Sequence, residues 1–218
     1  MKTFQIFSIK RTPRALRTAL LLLVIIISPA RGICGDRYKI FGKYFLGFTN
    51  PNGDLGQSTS TTLNTGLNSG WNMGFDGAYP FDTHVAVGLD IRYSMFPIDA
   101  SGYDGNYKIL SLKPTLFFGS FSPDNGFVAA GFVGGGYSFL ITPPHTVASL
   151  YGTYNYSSHS DLGLGVGTGF LYGYRLSDSF GIGGAVAYDY LILAPNGNGG
   201  GSYLSVDIGL LITVVEGL

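Results

Sequence analysis

The sequence is poor in cysteine and in charged residues, and each shortage excludes a class of protein. Its one cysteine, Cys34, cannot form an intramolecular disulfide, so this is not a small secreted protein stapled by disulfide bonds. Charged residues make up 12% of the chain, against about 25% in an ordinary soluble protein. Beyond residue 30, no apolar run approaches the roughly 20 residues of a membrane helix. A disulfide scaffold and a helical membrane protein are therefore both disfavoured.

Residues 1–30 have the pattern of a secretory signal peptide. Five positively charged residues precede Ala19–Ile27, a run of nine consecutive apolar residues. Two small-x-small motifs follow this run. A nine-residue helix spans roughly 14 Å, about half of a bilayer core, which favours a cleaved signal over an anchor. We predict cleavage after Ala30 or Gly32 and a mature domain over residues 31–218. That domain has 8 Lys and Arg against 13 Asp and Glu and no basic stripe, so no nucleic-acid partner is expected.

Apolar and aromatic residues are abundant, and they alternate with small or polar residues. Hydrophobic residues form 45% of the chain, with 16 Phe, 15 Tyr and 34 Gly. For an exported apolar chain without membrane helices, a closed β-barrel remains as the structure that satisfies its backbone in lipid. Alternation with period 2 recurs in eight segments: 38–49, 67–79, 85–96, 107–118, 127–139, 161–174, 180–192 and 203–214. Each segment is long enough for a tilted strand of roughly 9–11 residues that crosses a bilayer.

The connections between these segments alternate in length. Three are short, at residues 80–82, 120–126 and 175–178. Four are longer or more polar, at residues 50–66, 97–106, 140–160 and 193–202. Short turns at one end and long loops at the other are typical of bacterial outer-membrane barrels. The sequence therefore predicts an all-β fold: one domain forming an eight-stranded antiparallel up-and-down transmembrane β-barrel.

The hairpin over residues 173–190, GYRLSDSFGIGGAVAYDY, resembles the small eight-stranded outer-membrane barrels of the OmpA/OmpX-like superfamily. The resemblance covers residues 37–214 and extends to the barrel only, without the peptidoglycan-binding domain of OmpA. It implies a cell outer-membrane location and a role in envelope integrity, adhesion or the binding of host factors. The last strand departs from the family pattern, because Ile212 and Val214 stand where the C-terminal insertion signal usually has aromatic residues.

The face opposite the apolar one carries charged residues that would point into the barrel. They are Lys39, Lys43, Arg92, Lys113, Asp76, Asp90, Asp161, Asp189 and Asp207. Buried charges must be paired, and eight strands leave a lumen just wide enough for side chains. We predict an internal ion-pair network, with Lys43 and Lys113 as partners of Asp90, and Asp76 as the partner of Arg92. The alternative is a small porin-like channel lined by the same charges.

Two further alternatives are less well supported. A lipid A-modifying enzyme would need a catalytic group, and Ser158-His159-Ser160-Asp161 contains the residue types of a triad. Neighbouring strand residues face opposite sides, however, so the serines cannot share a face with His159 and Asp161. The scattered histidines give no metal-ligand spacing, and we expect no catalysis, metal or cofactor. A soluble lipocalin-like carrier would have the opposite polarity, apolar inside and charged outside.

The expected partners are outer-membrane lipid and, through the outward loops, host or cell-surface ligands. The polar, Tyr- and Ser-rich loop tips are the candidate contacts, namely Thr59, Ser60, Tyr151, Tyr154 and Tyr156. Aromatic residues near the strand ends, Tyr107 and Tyr203 among them, are expected to form girdles at the membrane interfaces. We expect the protein to act as a monomer.

Overall fold

The computed structural model describes residues 39–52, 67–82, 84–98, 104–121, 126–177, 179–193 and 200–215. The predicted signal peptide (1–30), Cys34, Thr59 and Ser60 lie outside these residues. Within them, no helix is long and apolar enough to cross a membrane.

The alternating segments form the strands of a closed barrel. The described residues form ten strands: β1 (Lys39–Asn52), β2 (Gly70–Pro80), β3 (Val85–Pro97), β4 (Asn106–Ser120), β5 (Phe127–Thr142), β6 (His145–Ser149), β7 (Gly152–Tyr156), β8 (His159–Arg175), β9 (Phe180–Leu193) and β10 (Gly200–Val215). Eight of them close in the order β1-β10-β9-β8-β5-β4-β3-β2, and every pair is antiparallel. The predicted eight-stranded antiparallel barrel is confirmed, and none of these eight strands has an open edge.

Strands β6 and β7 are an addition that the sequence did not predict. They form a separate two-stranded sheet within the connection that we expected to be an irregular loop, residues 140–160. Gly152 begins β7 with φ of 134°, a conformation that favours glycine. Thr, Val and Tyr on either side of this glycine favour strands and were the available signal. The β6–β7 hairpin lies between β5 and β8, at the end of the barrel with the longer connections, here called the loop end.

The outer face of the barrel wall is apolar and the buried charges lie on its inner face, because successive residues of a strand point to opposite faces. On the outside, Phe48 is 80% exposed and Ile208 is 71% exposed. On the inside, Lys43 and Arg92 are completely buried. A lipocalin-like carrier requires the reverse arrangement, so the polarity of the wall argues against that alternative.

The interior contains three layers, which can be followed along β4. Phe117 belongs to an apolar turn-end layer, with Phe41, Phe121, Phe132, Leu171 and Leu211. Ile109 belongs to an apolar loop-end layer, with Leu67, Phe96, Tyr107, Leu140, Leu191 and Tyr203. Ser111, Lys113 and Thr115 lie between them and are buried. This middle part is the charged layer, and it is closed by apolar side chains on both sides.

The position of two tyrosines corrects the predicted aromatic girdles. Tyr107 is 6% exposed and Tyr203 is 2% exposed, so both face the interior and not the outer surface. Tyr107 and Ser111 are at positions i and i+4 of one strand, and an even spacing places both on one face. Their closeness to a strand end suggested a girdle, but their place in the alternation puts them in the loop-end layer.

Candidate functional site: a charged cluster inside the barrel

Four charged residues form a row across four neighbouring strands. Lys43, Asp76, Asp90 and Lys113 lie directly opposite one another on β1, β2, β3 and β4. Two carboxylates are therefore adjacent, which is unfavourable on its own. Lys43 Nζ lies 2.8 Å from Asp76 Oδ2, and Lys113 Nζ lies 3.0 Å from Asp90 Oδ2. Lys43 therefore neutralises Asp76, and Lys113 neutralises Asp90.

Arg92 connects this row to the opposite wall of the barrel. Its guanidinium lies 3.2 Å from Asp207 Oδ2, 3.8 Å from Asp189 Oδ2 and 3.8 Å from Asp90 Oδ1. The Phe45 ring supports both neighbouring cations, with its centroid 4.7 Å from Arg92 Cζ and 4.8 Å from Lys43 Nζ. One side chain from β3 thus holds carboxylates of β9 and β10.

Lys113 makes a second connection across the lumen, and a glycine makes room for it. Its Nζ contacts Asp189 of β9 as well as Asp90. A Cβ atom at Gly167, on β8, would lie 2.5 Å from Asp189 Oδ1 and 2.8 Å from Lys113 Nζ. The glycine-rich inner face of β8 therefore accommodates long side chains from other strands.

One of the nine predicted interior charges, Asp161, lies outside this cluster, and the side chain of another, Lys39, is not among those described. Asp161 is near the loop end of β8, where its half-exposed carboxylate lies 3.6 Å from His159 Nε2. The strand extends beyond the enclosed part of the lumen, so its first residues face solvent. Lys39 is the first residue of β1, and only its backbone is described. The other seven are buried inside the barrel.

The predicted partners of Arg92 and Lys43 were wrong. Asp76 is paired with Lys43, while Arg92 contacts Asp207, Asp189 and Asp90. A narrow lumen allows a long guanidinium side chain to reach the far wall, and alternation along single strands does not reveal such contacts. The pairing of Lys113 with Asp90 agrees with the prediction.

Several uncharged polar residues also belong to the charged layer, and the sequence reading did not single them out. Ser111 and Ser138 share a hydrogen bond of 2.8 Å between their hydroxyl oxygens. Ser205 donates to Thr49 over 3.3 Å. Asn72 and Ser94 are completely buried. All occupy the same alternating face as the charged residues, which was the signal that could have identified them.

The loop end carries the other group of predicted contacts. Tyr151 is 91% exposed, and Tyr154 and Tyr156 are each 50% exposed, all in the β6–β7 hairpin or its turn. The His145 ring stacks on the Tyr156 ring with 4.8 Å between centroids. This hairpin presents aromatic surface outside the barrel wall.

Ser158, His159 and Asp161 do not form a linked triad in the described contacts. His159 and Asp161 share a face, as the alternation predicted, but the Ser158 hydroxyl donates to the Thr142 carbonyl over 2.8 Å. Among the described residues, no group of three or more His, Cys, Asp or Glu side chains is arranged to hold a metal ion.

No family model and no curated protein matches this sequence. Among solved structures, Neisserial surface protein A is similar at 15% identity, covering 79% of this chain and 96% of its own, with a TM-score of 0.46. Ail, the attachment invasion locus protein of Yersinia pestis, has 16% identity, coverage of 83% and 100%, and a TM-score of 0.44. The outer membrane protein OprG from Pseudomonas aeruginosa has 13% identity, coverage of 82% and 96%, and a TM-score of 0.45. At these values, the assignment of a closed eight-stranded barrel depends on the strand pairing of this chain itself.

Proposed function

We propose that this protein is an integral outer-membrane barrel with a structural or surface-interaction role at its loop end. The observation that carries the proposal is the polarity of the wall. Apolar side chains such as Leu46, Ile182 and Ile208 cover the outside, while the charged layer is enclosed. In water this arrangement would expose a continuous apolar belt, but in a bilayer it places hydrocarbon against hydrocarbon.

Aromatic residues at both ends of the wall support a membrane location. Phe48, Tyr188 and Tyr190 are exposed toward the loop end. Phe127 and Tyr174 are exposed toward the short turns. Two aromatic belts separated by aliphatic surface are the arrangement expected at the two interfaces of a membrane.

The β6–β7 hairpin supports a surface-interaction role for the loop end. Leu150 and Tyr151 form its turn and are almost fully exposed, at 101% and 91%. Exposed tyrosines provide large contact area at low entropic cost, and loops at the end of a rigid barrel are a common place for recognition. The proposed partner is a host or cell-surface protein that contacts this hairpin.

Fractionation tests the membrane location. The full-length chain, expressed in a Gram-negative host, should appear in the outer-membrane fraction. It should also migrate differently in an unboiled and a boiled sample on a denaturing gel, because a closed barrel resists unfolding by detergent. A protein recovered in the soluble periplasmic fraction without a gel shift would contradict the proposal.

The structure does not favour the alternative of a conducting channel. Phe41, Phe117 and Phe132 pack in the turn-end layer, and Phe96 packs against Tyr203 in the loop-end layer with 5.6 Å between ring centroids. Hydrophobic constrictions exclude ions because ions do not shed their water there.

We therefore expect no stepwise conductance when the purified barrel is added to planar bilayers. A general porin measured in the same bilayers serves as the positive control for insertion. Steady, ion-selective openings from this protein would show that the apolar layers do not close the lumen.

A further inference from the structure

The buried charges of the barrel do not balance. Among the residues whose side chains are described, the charged layer has three cations, Lys43, Arg92 and Lys113, and four carboxylates, Asp76, Asp90, Asp189 and Asp207. An uncompensated charge in a dry interior is costly. Apolar layers close both ends, so counterions that remain in the bulk solution are too far away to neutralise the missing charge. The compensation must therefore lie within the charged layer.

Other described cations are too remote to correct the imbalance. The backbone of Lys39 is four residues from Lys43, roughly 13 Å along the strand, and Phe41 of the turn-end layer comes between them. Arg175 is four residues beyond Leu171, which also belongs to the turn-end layer. Lys108 lies between the inward-facing Tyr107 and Ile109 on β4, so it belongs to the outer face of the strand.

Asp207 is the carboxylate with the weakest compensation. Asp76 has Lys43 to itself, and Asp90 and Asp189 each contact both Lys113 and Arg92. Among the described cations, Asp207 contacts only Arg92, which it shares with two other carboxylates. The missing positive charge is therefore expected near Asp207.

A row of buried polar groups without hydrogen-bond partners lies beside Asp207. In register across β10, β1, β2 and β3 are Asp207, Gly47, Asn72 and Ser94. Both carboxylate oxygens of Asp207, both amide atoms of Asn72 and the Ser94 hydroxyl are buried and have no hydrogen bond to another described residue. A Cβ atom at Gly47 would contact Asp207 Oδ1 and would lie 2.7 Å from Asn72 Oδ1. Two acceptor oxygens are thus aimed at the same small space.

We propose that this space, the Asp207–Asn72 site, binds one positive charge, either an alkali cation or a proton. Carboxylate, amide and hydroxyl oxygens are the ligands that hard cations prefer. A protonated Asp207 carboxyl would instead donate a hydrogen bond to Asn72 Oδ1. In both cases one charge separates the two acceptors and brings the layer to neutrality. The proposal concerns the interior of the barrel and is independent of the proposed surface role.

The first arm of the test detects an alkali cation. The detergent-folded full-length protein is unfolded with urea in sodium or potassium chloride and in tetramethylammonium chloride at equal ionic strength. A bound alkali ion stabilises the folded state, so the midpoint should fall in tetramethylammonium, which is too large for the site. The shift should disappear in Asp207→Asn and shrink in Asn72→Leu. It should persist in Ser138→Ala, a buried polar control elsewhere in the layer.

The second arm detects a proton by infrared spectroscopy at neutral pH. A protonated carboxyl gives a carbonyl stretching band distinct from those of ionised carboxylates. If the site holds a proton, this band should be present in the wild type and in Ser138→Ala, and absent in Asp207→Asn. A wild type with neither cation dependence nor this band would overturn the proposal. So would either signal if it survived unchanged in both Asp207→Asn and Asn72→Leu.

Discussion

Replacing Arg92 with leucine will lower the free energy of unfolding by about 3–5 kcal/mol, the cost of leaving a buried charge cluster without one partner. Arg92 is completely buried and contacts Asp90, Asp189 and Asp207. Leucine removes the guanidinium, leaves Asp90 and Asp189 to share Lys113, and leaves Asp207 without a contact to any described cation. The measurement is urea unfolding of the detergent-folded barrel, followed by the difference between folded and unfolded mobility on a gel.

Two further variants identify the cause of the loss. Arg92→Leu combined with Asp189→Asn removes one of the carboxylates that lost their contact with Arg92, and it should recover part of the stability. Arg92→Lys keeps the charge but loses the planar fork that reaches several carboxylates, and its stability should be intermediate. An unchanged urea midpoint in Arg92→Leu would contradict a structural role for the cluster.

Replacing Ile208 with arginine will destabilise the barrel in lipid bilayers by roughly 2–4 kcal/mol. Ile208 is near the middle of β10, points outward and is 71% exposed. If the wall faces hydrocarbon, this position is close to the centre of the bilayer, where a guanidinium is most unfavourable. The measurement is reversible urea unfolding in phospholipid vesicles.

Tyr154→Arg is the matched control for the wall variant. Tyr154 is also exposed, but it belongs to the β6–β7 hairpin outside the wall. Surface substitutions in water usually change stability by no more than about 0.5 kcal/mol. Equal, small effects of both substitutions would mean that the outer face of β10 is in contact with water, and the proposed membrane location would be wrong.

The strand positions could be predicted from the sequence because alternation is a direct consequence of pleating. On β9, Ile182 and Val186 are exposed, whereas Ala185 and Ala187 are buried. Opposite polarities on the two faces leave a period-2 pattern that survives without any knowledge of partners. The strand ends observed in the barrel consequently lie within about three residues of the predicted segments.

Contacts across the lumen could not be predicted in the same way. Periodicity assigns Arg92 and Asp207 to the inner face, but it does not state which strands face each other or how far a side chain extends. That information depends on the closure of the sheet and on the space left by Gly167 and Gly47. Tyr203 was misassigned for a related reason, since its closeness to a strand end outweighed its place in the alternation.

The seam between β1 and β10 has a consequence for assembly. Asp207 is supplied by the last strand of the barrel and Arg92 by the third strand, so this pair forms only after the sheet has curled round and its two ends have met. A half-inserted sheet would present to hydrocarbon a guanidinium that lacks its partners on β9 and β10, at a cost of up to about 2.5–3.5 kcal/mol on insertion scales. Partly assembled forms are therefore penalised in the membrane. Insertion and seam formation should proceed as one cooperative event, because the interior ion pairs are complete only in the closed barrel.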